Sequence, residues 1–85
     1  MTETIKHHKD GGHGWLFISY PLMKKYGLSR DSFSSFSYFN DKGVYAEEDC
    51  DAQIIIKAIK EAGKRIVFKG KHTNGQSEIR GLERC

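Results

Sequence analysis

Proline occurs once in this chain and cysteine twice among 85 residues. Two cysteines do not make a disulfide framework, so Cys50 and Cys85 are expected to be reduced thiols and a packed core has to hold the fold. No apolar run reaches the roughly 20 residues needed to cross a bilayer. The opening MTETIKHHKDGG is polar rather than signal-like, and a soluble, cytoplasmic protein is expected. There is no Walker-type phosphate loop, no dinucleotide glycine fingerprint and no paired-cysteine motif. No reaction centre can be recognised, so neither catalysis nor a cofactor is expected. The length suits one domain with a single core and is too short for a deep cleft between two lobes.

What is present is clearest from Val44 to Gly63, VYAEEDCDAQIIIKAIKEAG. Val44, Ala46 and Cys50 alternate with Tyr45, Glu47 and Asp49, the period of a strand with one face toward a core. Glu48 falls on the apolar side, either at a frayed strand end or as a carboxylate buried with a partner. From Asp51 the period becomes helical. Asp51 is expected to cap the first turn, while Ala52, Ile55, Ile56, Ile59 and Ala62 share the buried face. Lys57, Lys60 and Glu61 take the wet face, and Gly63 suits the left-handed residue after the last turn.

Residues 1–13 carry His7, His8 and His13 among polar neighbours and are expected to form a flexible N-terminal arm, leaving 14–85 as a single α+β domain. Gly14 to Tyr20 reads as a strand apolar on both sides, hence central or covered. Pro21 opens a short helix to Tyr26, with Gly27 and Leu28 as its stop. In Ser32 to Asn40, SFSSFSYFN, a strand would place Phe33 and Phe39 on one face and Phe36 and Tyr38 on the other, unless a bulge realigns them. Such a segment serves either as a stacking platform for single-stranded nucleic acid or as the inner face of a sheet. Asp41 to Gly43 supply a hairpin turn, Lys64 to Thr73 a further strand, and Asn74-Gly75 another turn. The end, QSEIRGLERC, adds either an edge strand through Ile79 and Leu82 or an irregular tail. The predicted fold is α+β: a small, mostly antiparallel sheet of four to five strands, one long helix packed on a face, and one short helix after the first strand.

The net charge of +3 is unevenly spread, with +3 in residues 1–30, −5 in 31–51 and +5 in 52–85. Either these segments occupy separate faces and make an electrical dipole, or the charges interleave on an ordinary solvated surface. The cluster Glu47, Glu48, Asp49 and Asp51 is a candidate metal or catalytic site, but strand alternation separates Glu47 and Asp49 from Glu48. His7, His8 and His13 with Asp10 have ligand chemistry for a transition metal, yet a glycine-rich arm offers nothing rigid to orient them. No metal site is assigned. Cys50 precedes a helix start, where a thiolate is favoured, and is read either as a nucleophile or as a small buried residue; His72 is the only histidine outside the arm. A pocket gathering a thiol, an imidazole and a carboxylate would speak for an enzyme instead of a binding protein.

The run ISYPLMKKYGLSRDSF, followed by the aromatic segment and the DKG turn up to Tyr45, resembles the swapped-hairpin domain of AbrB-type transition regulators. That resemblance implies an intertwined DNA-binding dimer, although this hairpin is acidic where the family is basic. The combination GHGWLFISY, SSFSYFN and EEDCDA is similar to small, mostly uncharacterised proteins of phages and mobile elements, anti-CRISPR proteins among them. This second resemblance implies a stoichiometric inhibitor of a host defence complex, acting in the host cytoplasm without a membrane, as a monomer or homodimer. Its partner-binding residues are expected to be Tyr45, Glu47, Glu48, Asp49 and Asp51, gripping basic groups on a host protein or imitating nucleic-acid charge. The alternative is a nucleic-acid-binding regulator that sets Lys64, Arg65, Lys69, Lys71 and Arg80 against phosphates and stacks bases on Phe36 or Tyr38.

Overall fold

The computed structural model describes residues 2–72 and 78–85, and gives the backbone alone for Lys71, His72, Glu78 and Arg80. Six strands form one sheet: β1 (Thr2–Lys9), β2 (Gly14–Ser19), β3 (Tyr38–Phe39), β4 (Gly43–Glu47), β5 (Arg65–His72) and β6 (Glu83–Arg84). Their order is β5-β1-β2-β4-β3-β6. Every junction is antiparallel except that between β1 and β5. The α+β class and the mostly antiparallel sheet agree with the sequence, and the sheet has more strands than expected. Two helices, α1 (Tyr20–Lys25) and α2 (Ala52–Glu61), complete the element list with 3-10 turns at Arg30–Ser32 and Glu78–Gly81.

Both helices pack on one face of the sheet. Ile5, Leu16, Ile18, Val44 and Ala46 from three strands meet Met23 of α1, Ala52, Ile55 and Ile59 of α2, and Phe33 of the intervening loop. Each large side chain so buried contributes about 1.5–3 kcal/mol. Ile54 and Ile56 are half-buried flanks of the α2 stripe, and Ala62 lies exposed beyond it.

The ends of the helices follow local chemistry. Ser19 Oγ accepts from the Leu22 N–H, and Pro21 occupies the first turn of α1, where a missing N–H costs nothing. Gly27 (φ 72°) and Gly63 (φ 78°) provide the left-handed residue after each helix. The Gly27 and Leu28 N–H groups return to the Lys24 and Met23 carbonyls, and those of Gly63 and Lys64 return to Lys60 and Ile59. Asp51 does not cap α2 with its side chain. Its carboxylate turns the other way and accepts from the backbone N–H and hydroxyl of Ser34 and from the hydroxyl of Ser37.

Three further expectations are corrected. The segment expected to be a mobile arm is β1, a strand paired on both sides and closed onto β2 by a turn in which the Asp10 carboxylate accepts from the Gly12 and His13 N–H groups, each at 2.9 Å. Only Ile5 of β1 is fully buried, which is why its apolar pattern is faint. Second, SFSSFSYFN is mostly loop, with only Tyr38–Phe39 in the sheet. Ser34 and Ser37 donate to Asp51 and Ser34 Oγ accepts from the Phe36 N–H instead of the segment forming a ladder, although Phe33 still faces the core and Phe36 the solvent. Third, Ile79 and Leu82 do not form an edge strand. Ile79 is buried in a 3-10 turn, and the final strand is Glu83–Arg84, followed by the Cys85 N–H bonding to the Ser37 carbonyl at 2.9 Å. The Asn74-Gly75 turn lies outside the described residues.

Candidate functional site

On the sheet face away from the helices, strand register brings several of the expected aromatic and basic residues together. Residues directly opposite on neighbouring strands share a face. Lys69 of β5 lies opposite Lys6 of β1, which lies opposite Phe17 of β2. Phe17 is opposite Tyr45 of β4, Tyr45 opposite Tyr38 of β3, and Tyr38 opposite Arg84 of β6. The result is one row across all six strands, with cations at both ends and three aromatic rings between. At about 4.8 Å per strand step the row is roughly 24 Å long.

The rings are in contact. Phe17 and Tyr45 have centroids 4.8 Å apart, and His8 meets the Tyr45 edge at 5.4 Å. Trp15 meets Tyr38 at 6.3 Å, and the Arg84 guanidinium stands 5.6 Å from the Tyr38 ring. Phe17, Tyr38 and Tyr45 are half-buried, whereas Lys6, Lys69 and Arg84 are exposed. Arg65, opposite Thr2, and Lys71, opposite His8, hold register positions on the same face. Arg80 lies in the 3-10 turn before β6, with its backbone alone described. Lys64 belongs elsewhere: it approaches Glu3 at 3.8 Å and the Tyr26 ring at 5.8 Å, on the helix side.

The expected acidic contact surface is broken up. Asp51 is 3% exposed and Glu47 8% exposed, so neither contributes much to the outer surface. Burial is tolerable because each is fed by donors: Asp51 by Ser34 and Ser37, Glu47 through Oε2 by the Asp49 and Cys50 N–H groups, each at 3.0 Å. Glu48 sits just past the last residue of β4, as the strand-end reading has it, and is half-buried with His7 Nε2 at 3.4 Å. Of the four acids only Asp49 is exposed, and Tyr45 sits in the aromatic row.

A cavity of about 400 Å³ opens beside the Tyr38 end of that row. Trp15, Phe36 and Tyr38 supply its apolar walls, and His13, Glu47, Asp49, Cys50 and Arg84 its polar ones. Glu47 Oε1 is buried and takes no hydrogen bond from the described residues, with His13 Nδ1 at 3.6 Å. A thiol, an imidazole and a carboxylate therefore do share a pocket. Desolvation, its hydrogen bond with Glu47, and the charges of Glu47, Asp51 and Asp49 push the pKa of the exposed Cys50 thiol up, toward the neutral form.

The histidines are dispersed. His7 turns to Glu48, His8 to Tyr45 and His13 to Glu47, while Asp10 is engaged in its turn. Among the described residues no group of three or more His, Cys, Asp or Glu is placed to hold a metal ion. Among the described residues no helix is long and apolar enough to cross a membrane. Sequence reasoning singled out Tyr38, Lys69 and Arg65 but missed Lys6, Phe17 and Arg84, whose place in the row depends on strand register. Comparison with protein-family models, curated proteins and solved structures finds no match.

Proposed function

We propose that this chain binds single-stranded nucleic acid along the uncovered sheet face. The observation that carries the reading is the row Lys69, Lys6, Phe17, Tyr45, Tyr38 and Arg84. Aromatic faces stack on bases whatever their sequence, and cations flanking them track the phosphates. A duplex keeps its bases stacked on each other, so this arrangement suits unpaired strands. The proposal keeps the basic strands and Tyr38 of the nucleic-acid-binding alternative, moves the contact to the sheet face and leaves out Lys64, which lies beside Glu3 on the helix side.

The test is fluorescence anisotropy with a labelled mixed-sequence oligonucleotide over a salt series. Tyr45→Ala is expected to weaken binding by about 1–3 kcal/mol. The double charge reversal Lys6→Glu with Lys69→Glu is expected to flatten the salt dependence, each lost phosphate contact reducing the logarithmic slope by about 0.7. Absence of binding at low salt overturns the reading.

A second reading, a phage-type inhibitor that occupies a host protein, draws support from a different place. Among the described residues β5 pairs only with β1, and it carries Val67 and Phe68, 49% and 48% exposed. A long strand edge with apolar side chains offers a partner protein a ladder to extend. Capture of a host complex that survives nuclease treatment but is lost with Val67→Lys would favour this reading over the first.

A further inference from the structure

We infer that the outer edge of β5 takes an extended acidic strand from a partner protein, its carboxylates meeting Arg65 and Lys69 on one face and its apolar side chains covering Phe68 on the other. The inference rests on the second reading above, in which a partner extends the sheet, and adds the chemistry of that partner. The two edges of the sheet are unlike. The β6 edge is two residues long, whereas β5 runs for eight and pairs with β1 alone among the described residues. Alternate residues of such an edge point their N–H and C=O groups away from the sheet, a template for another ladder.

Both faces of this edge are incomplete. On the helix side Phe68 lies opposite Ile5, which is 1% exposed, yet Phe68 itself is 48% exposed. The core stops one strand short of covering it. A Cβ at Gly70, on the same face, would meet nothing within 4 Å, so there is room beside Phe68 for a partner's side chain. On the other face Val67, 49% exposed, stands between Arg65 and Lys69. Lys69 lies opposite Lys6, and among the described residues neither these lysines nor Arg65 has an ion-pair partner. Like charges facing each other across a ladder are destabilising, and a carboxylate on the outer side of Lys69 relieves that repulsion. A nucleic acid on the uncovered face reaches the cations but not Phe68, whereas an added strand covers both faces at once. A second copy fits badly. Two β5 strands paired antiparallel about Val67 set Arg65 against Lys69, and about Phe68 they set Arg65 against Lys71.

The probe is a blocked, fluorescein-labelled peptide, Glu-Val-Thr-Val-Glu flanked by serines, which sets its glutamates opposite Arg65 and Lys69 and a valine opposite Phe68. It is compared by anisotropy with the same peptide carrying lysine for glutamate, and with two forms N-methylated on one or the other alternating set of backbone nitrogens. The native protein is expected to bind the glutamate peptide about fivefold more tightly than the lysine peptide, the effect of two cross-strand ion pairs. Methylation of the set that faces β5 should abolish binding, and methylation of the other set should preserve it. Arg65→Glu with Lys69→Glu should reverse the preference toward the lysine peptide, a gain that an unfolded variant could not show. Equal binding of the two charge forms by the native protein overturns the acidic specificity and leaves the extended-sheet reading standing. Binding that survives both methylations, or failure of every peptide to bind, overturns both. A concentration-dependent dimer in sedimentation velocity that Val67→Lys abolishes overturns the inference in favour of a second copy.

Discussion

Asp51 shows how one side chain can decide the fate of a segment. The Glu47 N–H donates to Ser37 Oγ at 3.0 Å, and the Ser37 hydroxyl donates to Asp51, which also collects both donors of Ser34. This chain ties the loop before β3 to the start of α2, and it spends on the loop the oxygen that local sequence rules assign to the helix cap. Asp51→Ala strands the Ser34 N–H and the Ser37 hydroxyl and is expected to cost about 1.5–3 kcal/mol, measured as a lower urea midpoint at unchanged slope. The role of Asp51 was not legible because its partners lie 14 and 17 residues away. The burial of Glu47 was equally hidden: alternation put it on the wet side of β4, where the Asp49 and Cys50 N–H groups of the following loop hold its carboxylate.

Among elements, those specified by their own residues were read well. The α2 stripe, the Pro21 start and the Gly27 and Gly63 stops all have causes within a few residues of one another. β1 was missed because it borrows its strand character from neighbours on both sides, and its one fully buried residue leaves no periodic signal. The Gly43 position belongs to the same class of long-range constraint. A Cβ there would run into the Ile18 carbonyl oxygen across the β2–β4 ladder, whereas one at Gly70 meets nothing within 4 Å. Gly43→Ala is expected to destabilise the protein by about 1–3 kcal/mol and Gly70→Ala to leave the melting temperature nearly unchanged, as thermal unfolding will show.

Over the whole molecule, the two faces of the sheet carry different electrostatics. On the helix side, Glu3 Oε1 accepts from the Tyr26 hydroxyl at 2.7 Å and from Lys25 at 2.9 Å, with Lys64 at 3.8 Å. The Tyr26 and Lys25 hydrogen bonds hold its carboxyl below the ordinary value of 4.5. A carboxylate whose folded pKa is depressed stabilises the fold at neutral pH, and that contribution disappears as pH falls below 4.5 through the folded value. Glu3→Gln should therefore flatten the acid limb of a stability-against-pH curve while changing little in the protein's response to salt-dependent ligands. The segment sums of charge read from the sequence did not become separate patches, since Glu47 and Asp51 went inside and Glu48 was half-buried against His7. What the sequence could not disclose was register, which alone assembles six dispersed residues into one row. That same register has a consequence in time. β1 and β5 join parallel, Thr2 beside Arg65, so a very long loop must close before Lys6 and Lys69 stand side by side. Contacts of that span raise the contact order and slow folding, and the basic end of the row depends on them.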